Sequence, residues 1–159
     1  INFQNDLKNY HQNLFFSPQE NYILPQSIKS NITFEENDSQ IDLEHLKYSI
    51  AKSELNDFIK DVLKNDINTV LSEENMKLSG GFNQRLFFSR AIYFNKDLLL
   101  LDEPFSAIDK KNKENILNFL SKEYKKTIIM ITHDKQDLKF FDYVLEIKNS
   151  KLFESKNEK

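Results

Sequence analysis

Leu98-Leu99-Leu100-Leu101-Asp102-Glu103-Pro104 is the stretch on which the fold turns. A short apolar run stopped by turn residues is the pattern of a strand buried on both faces, as in a parallel sheet. The pattern returns at Thr127-Ile128-Ile129-Met130-Ile131, ended by Thr132-His133-Asp134, and again at Tyr143-Val144-Leu145-Glu146-Ile147. Between the first two runs, Ile116, Phe119, Leu120 and Tyr124 recur at helical spacing, and Leu86, Ser89, Arg90, Ala91 and Tyr93 mark an earlier helix. Upstream, Leu14-Phe15-Phe16 reads as a strand that ends at Ser17-Pro18-Gln19. Strands alternating with helices imply an α/β fold with a parallel sheet. From Ile41 to Leu63 the period is helical, with Leu43, Leu46 and Ile50 on one face and Leu55, Phe58, Ile59 and Val62 on another. Ser53 is placed to cap between them. Asn65 to Lys77 is less regular, and the charged tail from Glu154 is expected to fray.

Composition narrows the class. The chain has 159 residues, 39% hydrophobic and 30% charged, with a formal net charge of -3. That suits a single domain with a real core. The 22 basic residues are dispersed among 25 acidic ones, which argues against a nucleic-acid partner. There is no cysteine, so disulfides and thiolate metal sites are excluded and a reducing compartment is expected. No apolar run is long enough to cross a bilayer. Glycine is the informative count. At the usual ~7% roughly eleven would be expected, yet there are 2, and Gly80 and Gly81 are adjacent. Placing both together predicts a need for backbone freedom there.

The pair lies in Leu78-Ser79-Gly80-Gly81-Phe82-Asn83-Gln84-Arg85, directly before a helix. Ser79 can cap that helix, and the glycines would let backbone N–H groups crowd around an anion at its positive end. A Ser-Gly-Gly by itself is most often an ordinary helix start. Asp102 and Glu103, however, follow a strand, where doubly wound sheets place ligands. A carboxylate there can hold Mg²⁺, and its neighbour can accept a proton from an attacking water. His133 and Gln19 each follow another strand of the same presumed sheet. A lone histidine is usually structural, but four polar groups at the strand ends of one sheet make a site.

These segments together resemble the nucleotide-binding domain of ABC transporters. Leu78 to Arg85 is similar to the family signature, Leu98 to Glu103 to its Walker B strand, and Ser106-Ala107-Ile108-Asp109 to its D-loop. His133 in Ile131-Thr132-His133-Asp134 resembles the switch histidine, and Gln19 in Ser17-Pro18-Gln19 the Q-loop glutamine. Gln26, in Leu24-Pro25-Gln26, competes for that last role. Ser27-Ile28-Lys29-Ser30-Asn31-Ile32 resembles the Thr-Ile-Arg-Glu-Asn-Ile stretch of exporter-type members, and its spacing from Gln19 favours Gln19. Glu73 stands where exporters carry a glutamate shortly before the signature. The resemblance runs from about Phe15 to Phe153. Departures are Phe82 for the usual glutamine, Phe105 after Walker B, Asn75 for a common glycine, and Ser150 where a turn glycine is common.

The resemblance implies a RecA-like P-loop NTPase core over residues 1–19 and 95–159, with an inserted helical subdomain over 20–94 that ends in the signature helix. Both glycines lie in the signature, so no Walker A loop remains for this chain. The core is accordingly expected to be truncated at its N-terminal side, and the isolated chain to be inactive. ATP and Mg²⁺ are the implied ligands. Asp102, with Gln19, would organise Mg²⁺; Glu103 would polarise water; His133 would contact the γ-phosphate. Ser79, Gly80, Gly81 and Gln84 would complete the nucleotide site of a second copy or a homologous domain, with Asp109 crossing the interface. The other implied partner is a set of transmembrane domains, at the cytoplasmic face of a membrane. A rival reading is a non-catalytic half that only lends its signature to another subunit; Glu103 and His133 argue against it. Soluble ABC ATPases of DNA repair or translation would bring coiled coils or basic patches, which the sequence lacks.

Overall fold

The structure, a computed structural model, describes residues 12–19, 22–35, 37–61, 66–71 and 80–157. β1 (Leu14–Ser17), β2 (Leu98–Asp102) and β3 (Thr127–Ile131) form a parallel sheet in the order β1-β2-β3. Their register aligns Ser17 with Leu101 and Asp102 with Ile131, so all three strands end at one edge.

β2 departs from the pattern expected of it. Leu99 and Leu101 are buried while Leu98, Leu100 and Asp102 are only partly so. β3 alternates likewise, and Ile129 and Ile131 are 52% and 55% exposed. Side chains of a strand point to opposite faces in turn, and among the described residues helices cover one face alone. That face packs Phe15, Leu99, Leu101, Ile128 and Met130 against two helices, α4 (Gly80–Phe94) and α5 (Lys110–Lys122). α5 contributes Ile116, Leu117, Phe119 and Leu120, the spacing of a one-sided apolar stripe. Each such side chain contributes roughly 1.5–3 kcal/mol by leaving water.

Between β1 and α4 the described residues include three α-helices. α1 (Ile28–Thr33) starts at Ser27, whose hydroxyl accepts from Ser30 N, and stops at Phe34 in the left-handed region. α2 (Leu43–Lys52) is capped by Asp42. Ser53 closes α2, its hydroxyl donating back to Ile50 O, and α3 (Asn56–Asp61) follows. Leu43, expected on the buried face, is 50% exposed because it sits in the first turn of α2. Ile28, Ile32, Leu46, Ile50, Leu55, Ile59 and Leu71 bury together with Phe82 and Leu86 of α4. Phe82, the departure from the signature pattern, is therefore core, its ring 4.3 Å from that of Phe58. α4 serves both cores: Phe82 and Leu86 belong to the helical one, and Phe88, Ala91 and Ile92 to the sheet.

Downstream, β4 (Tyr143–Lys148) does not extend the parallel sheet. It pairs antiparallel with β5 (Lys151–Lys156) in a separate two-stranded sheet, so Glu154, Ser155 and Lys156, in the tail that was expected to fray, are paired strand. Asn149 and Ser150 join them, both at positive φ, 48° and 59°. Such a pair closes a tight hairpin whose twist matches its strands, so the chain reverses rather than crosses over.

Candidate functional site

Three of the expected residues converge where the sheet ends. Gln19 lies two positions beyond β1, Glu103 directly beyond β2 and His133 two beyond β3. The backbone N–H of Glu103 still donates to Ile131 O at 3.1 Å, which carries the ladder one step past Asp102. There the chain turns with Glu103 at φ 46°, a left-handed conformation in a residue with a side chain. The turn lifts the carboxylate out of the pleat and toward both neighbours. Gln19 Nε2 donates to its Oε2 at 3.3 Å, and His133 Nε2 lies 3.0 Å from its Oε1. Asp102 is aligned with Ile131 and shares the sheet face that the helices leave open. Hard oxygen donors at Asp102, Glu103 and Gln19 suit Mg²⁺, which takes one or two carboxylates and completes its shell with phosphate and water. Among the described residues no group of three or more His, Cys, Asp or Glu forms a metal cage by itself.

Ser79 and Glu73 lie outside the described residues, so the signature is seen from Gly80 onward. Both glycines are the first residues of α4, and neither has positive φ. The need for glycine is thus steric and not conformational. A Cβ on Gly81 would come 2.7 Å from Ala107 O, and one on Gly80 would meet Ala107 Cβ at 3.0 Å. One turn further on, the Gln84 side chain binds the same loop twice: Nε2 donates to Ser106 Oγ at 2.8 Å, and Oε1 accepts from Ala107 N at 2.8 Å. The Gln84 amide is therefore engaged within its own chain. Asp109 accepts from Asn112 N at 3.1 Å and from Asn112 Nδ2 at 2.6 Å, capping α5. The backbone N–H of Asn112 holds its carboxyl below the usual range. The turn from Glu103 to Asp109 thus joins the strand-end junction to the glycine pair.

A cleft of about 500 Å³ opens beside Glu103 and His133, between the start of α5 and the loop after β3. That loop is heavily tied. Thr132 Oγ1 donates to Asp137 Oδ2 at 2.8 Å and accepts from Asp134 N at 3.1 Å. Lys113 of α5 donates to Asp134 Oδ2 at 2.6 Å and lies 2.8 Å from Asp137 Oδ1. Neither the Lys113 contacts nor those of Gln84 with the 106–107 turn announce themselves in the sequence, because the partners come from segments 21 to 24 residues apart.

The sequence profile of the ABC transporter family matches residues 1–106. The chain is 34% identical over 146 residues to a putative export ATP-binding/permease protein of Rickettsia typhi, covering 86% of this chain and 23% of that protein. It is 31% identical over 141 residues to a probable ABC transporter ATP-binding/permease protein of Haemophilus influenzae, covering 88% and 25%. It is 30% identical over 138 residues to ATP-binding cassette sub-family C member 8 of Rattus norvegicus, covering 84% and 8%. The chain thus spans a quarter or less of the length of these relatives. Among solved structures, a bacterial Atm1-family ABC exporter with ATP bound superposes with a TM-score of 0.79 at 24% identity, over 91% of this chain and 25% of that one. At that identity the likeness establishes the fold.

Proposed function

The chain belongs to the ABC transporter family, and on that premise we propose that the Gln19–Glu103–His133 junction hydrolyses ATP in the whole protein. The single observation that carries this reading is the convergence on Glu103: side chains beyond the ends of β1 and β3 meet the carboxylate beyond the end of β2. Glu103 accepts a proton from the attacking water, which Gln19 and His133 help to orient. His133 can then turn from Glu103 to donate to the terminal phosphate. Asp102, with the Gln19 carbonyl, would hold Mg²⁺, which would supply charge neutralisation at the phosphate oxygens.

Gly80 and Gly81 serve the nucleotide of a second such domain in a head-to-tail pair, a role that the family resemblance extends to Ser79, and Asp109 approaches that interface. Gln84 serves that surface by anchoring it to the 106–107 turn. Residues 20–94 act as the helical subdomain and the rest as the ATPase core. Hydrolysis drives transport through transmembrane domains at the cytoplasmic face. Export is favoured by the name of the Rickettsia relative. The alternative of a non-catalytic half has no use for the Glu103–His133 contact.

In the complete protein, Glu103→Gln is expected to keep nucleotide binding and slow turnover by about 10²-fold or more, as loss of a general base does. Phosphate release and equilibrium nucleotide binding measure the two sides. Turnover near wild type would remove Glu103 from the role of base.

A further inference from the structure

The His133 side chain is 86% exposed, and its ring meets Glu103 from solvent. Packing does not aim the imidazole, so the loop that carries it must. That loop is fixed on both flanks of His133: Thr132 is bonded to Asp137, and Asp134 is closed over Gln136 N at 2.9 Å. Asp137 is only 3% exposed, and Asp134 stands beside it on the same cation. Two carboxylates that close would repel each other and open the loop without a counter-charge. The counter-charge is Lys113, one helical turn past Asp109 on α5. α5 in turn begins where the Glu103 turn ends, so the ammonium ties the histidine loop to the segment that carries the acid.

We infer that Lys113 is a positioning residue: through Asp134 and Asp137 it sets the distance between His133 and Glu103. Burial works against its charge, but hydrogen bonds to Asp134 and Asp137 outweigh that and raise its pKa, so it stays protonated at neutral pH. The same contact, with Gln136 N–H, lowers the pKa of Asp134.

The inference rests on the hydrolytic reading of the junction, and the test separates the two. Steady-state hydrolysis of Mg-ATP by the complete protein is measured for wild type, Lys113→Met, Lys113→Arg and Asp134→Asn, each also on a His133→Ala background, with thermal melting as the check on folding. Misplacing a catalytic group by about 1 Å is expected to lower kcat about 10- to 100-fold for Lys113→Met, with KM for the nucleotide little changed. Lys113→Arg restores most of the loss. Asp134→Asn, a surface change that spares the buried Asp137, gives a smaller loss in the same direction. On His133→Ala, none of these changes lowers kcat further, because the effect runs through the histidine. Wild-type kcat in folded Lys113→Met or Asp134→Asn, or additive losses with His133→Ala, would overturn the positioning role. A wild-type protein that does not hydrolyse ATP would instead overturn the reading of the junction itself, and the inference with it.

Discussion

At Gly81 an added methyl group would sit 2.7 Å from the carbonyl oxygen of Ala107, whereas at Gly80 it would touch only the Ala107 Cβ at 3.0 Å. A backbone oxygen yields far less readily than a methyl group. Gly81→Ala is therefore expected to destabilise the domain by about 1–3 kcal/mol, as overpacking does. Gly80→Ala stays near neutral, since alanine recovers roughly 0.5–1 kcal/mol of helix propensity. Chemical denaturation of the two variants side by side checks the order, and equal effects would mean that α4 slides away from the turn. The adjacent glycines were visible in sequence as a demand for something unusual. The nature of that demand was not visible, because it comes from Ala107, a residue 26 positions on in sequence that contacts Gly81 only in the fold.

α5 shows how an element can be readable at one end and not at the other. Its apolar stripe through Ile116, Phe119 and Leu120 follows from periodicity. Its start depends on Asp109, which the family resemblance assigned to an interface and which in this chain caps the helix. Asp109→Ala is expected to cost about 1 kcal/mol at neutral pH, the usual value of an N-cap. The folded carboxyl titrates below its unfolded value because Asn112 N–H favours the charged form. Its contribution is thus present above the unfolded pKa, about 3.9, and is lost as pH falls through the lower folded value. The gap between wild type and Asp109→Ala in urea should narrow below pH 4. A gap that is the same at pH 7 and pH 3 would show that the charge of the cap is irrelevant. β4 and β5 are the converse case. The run Tyr143-Val144-Leu145-Glu146-Ile147 marked a strand, but no local signal says whether a strand joins the sheet before it or folds back. Here the left-handed Asn149 and Ser150 decide for the hairpin.

For the molecule as a whole, the parallel sheet and the convergence of Gln19, Glu103 and His133 were legible because strand ends of a parallel sheet collect on one edge whatever the side chains are. The uncovered sheet face was not. Four leucines in a row read as burial on both sides, and only the register with Ile129 and Ile131 reveals which side the helices take. Folded stability is a property of the entire chain and is small, roughly 5–15 kcal/mol. Against that margin the backbone at Glu103, held at φ 46°, matters: a non-glycine residue in such a conformation typically stores about 1–3 kcal/mol. Glycine would relieve it, less roughly 0.4–1 kcal/mol for its freer unfolded chain. Glu103→Gly is expected to raise the melting temperature by about 2–4 °C while hydrolysis disappears; a variant that melts earlier would mean that the Gln19 and His133 contacts outweigh the strain. A breeder of heat-resistant variants who screened only for soluble survivors at high temperature would therefore enrich a change at the residue proposed as the base, and hardened descendants of this protein would arrive silent.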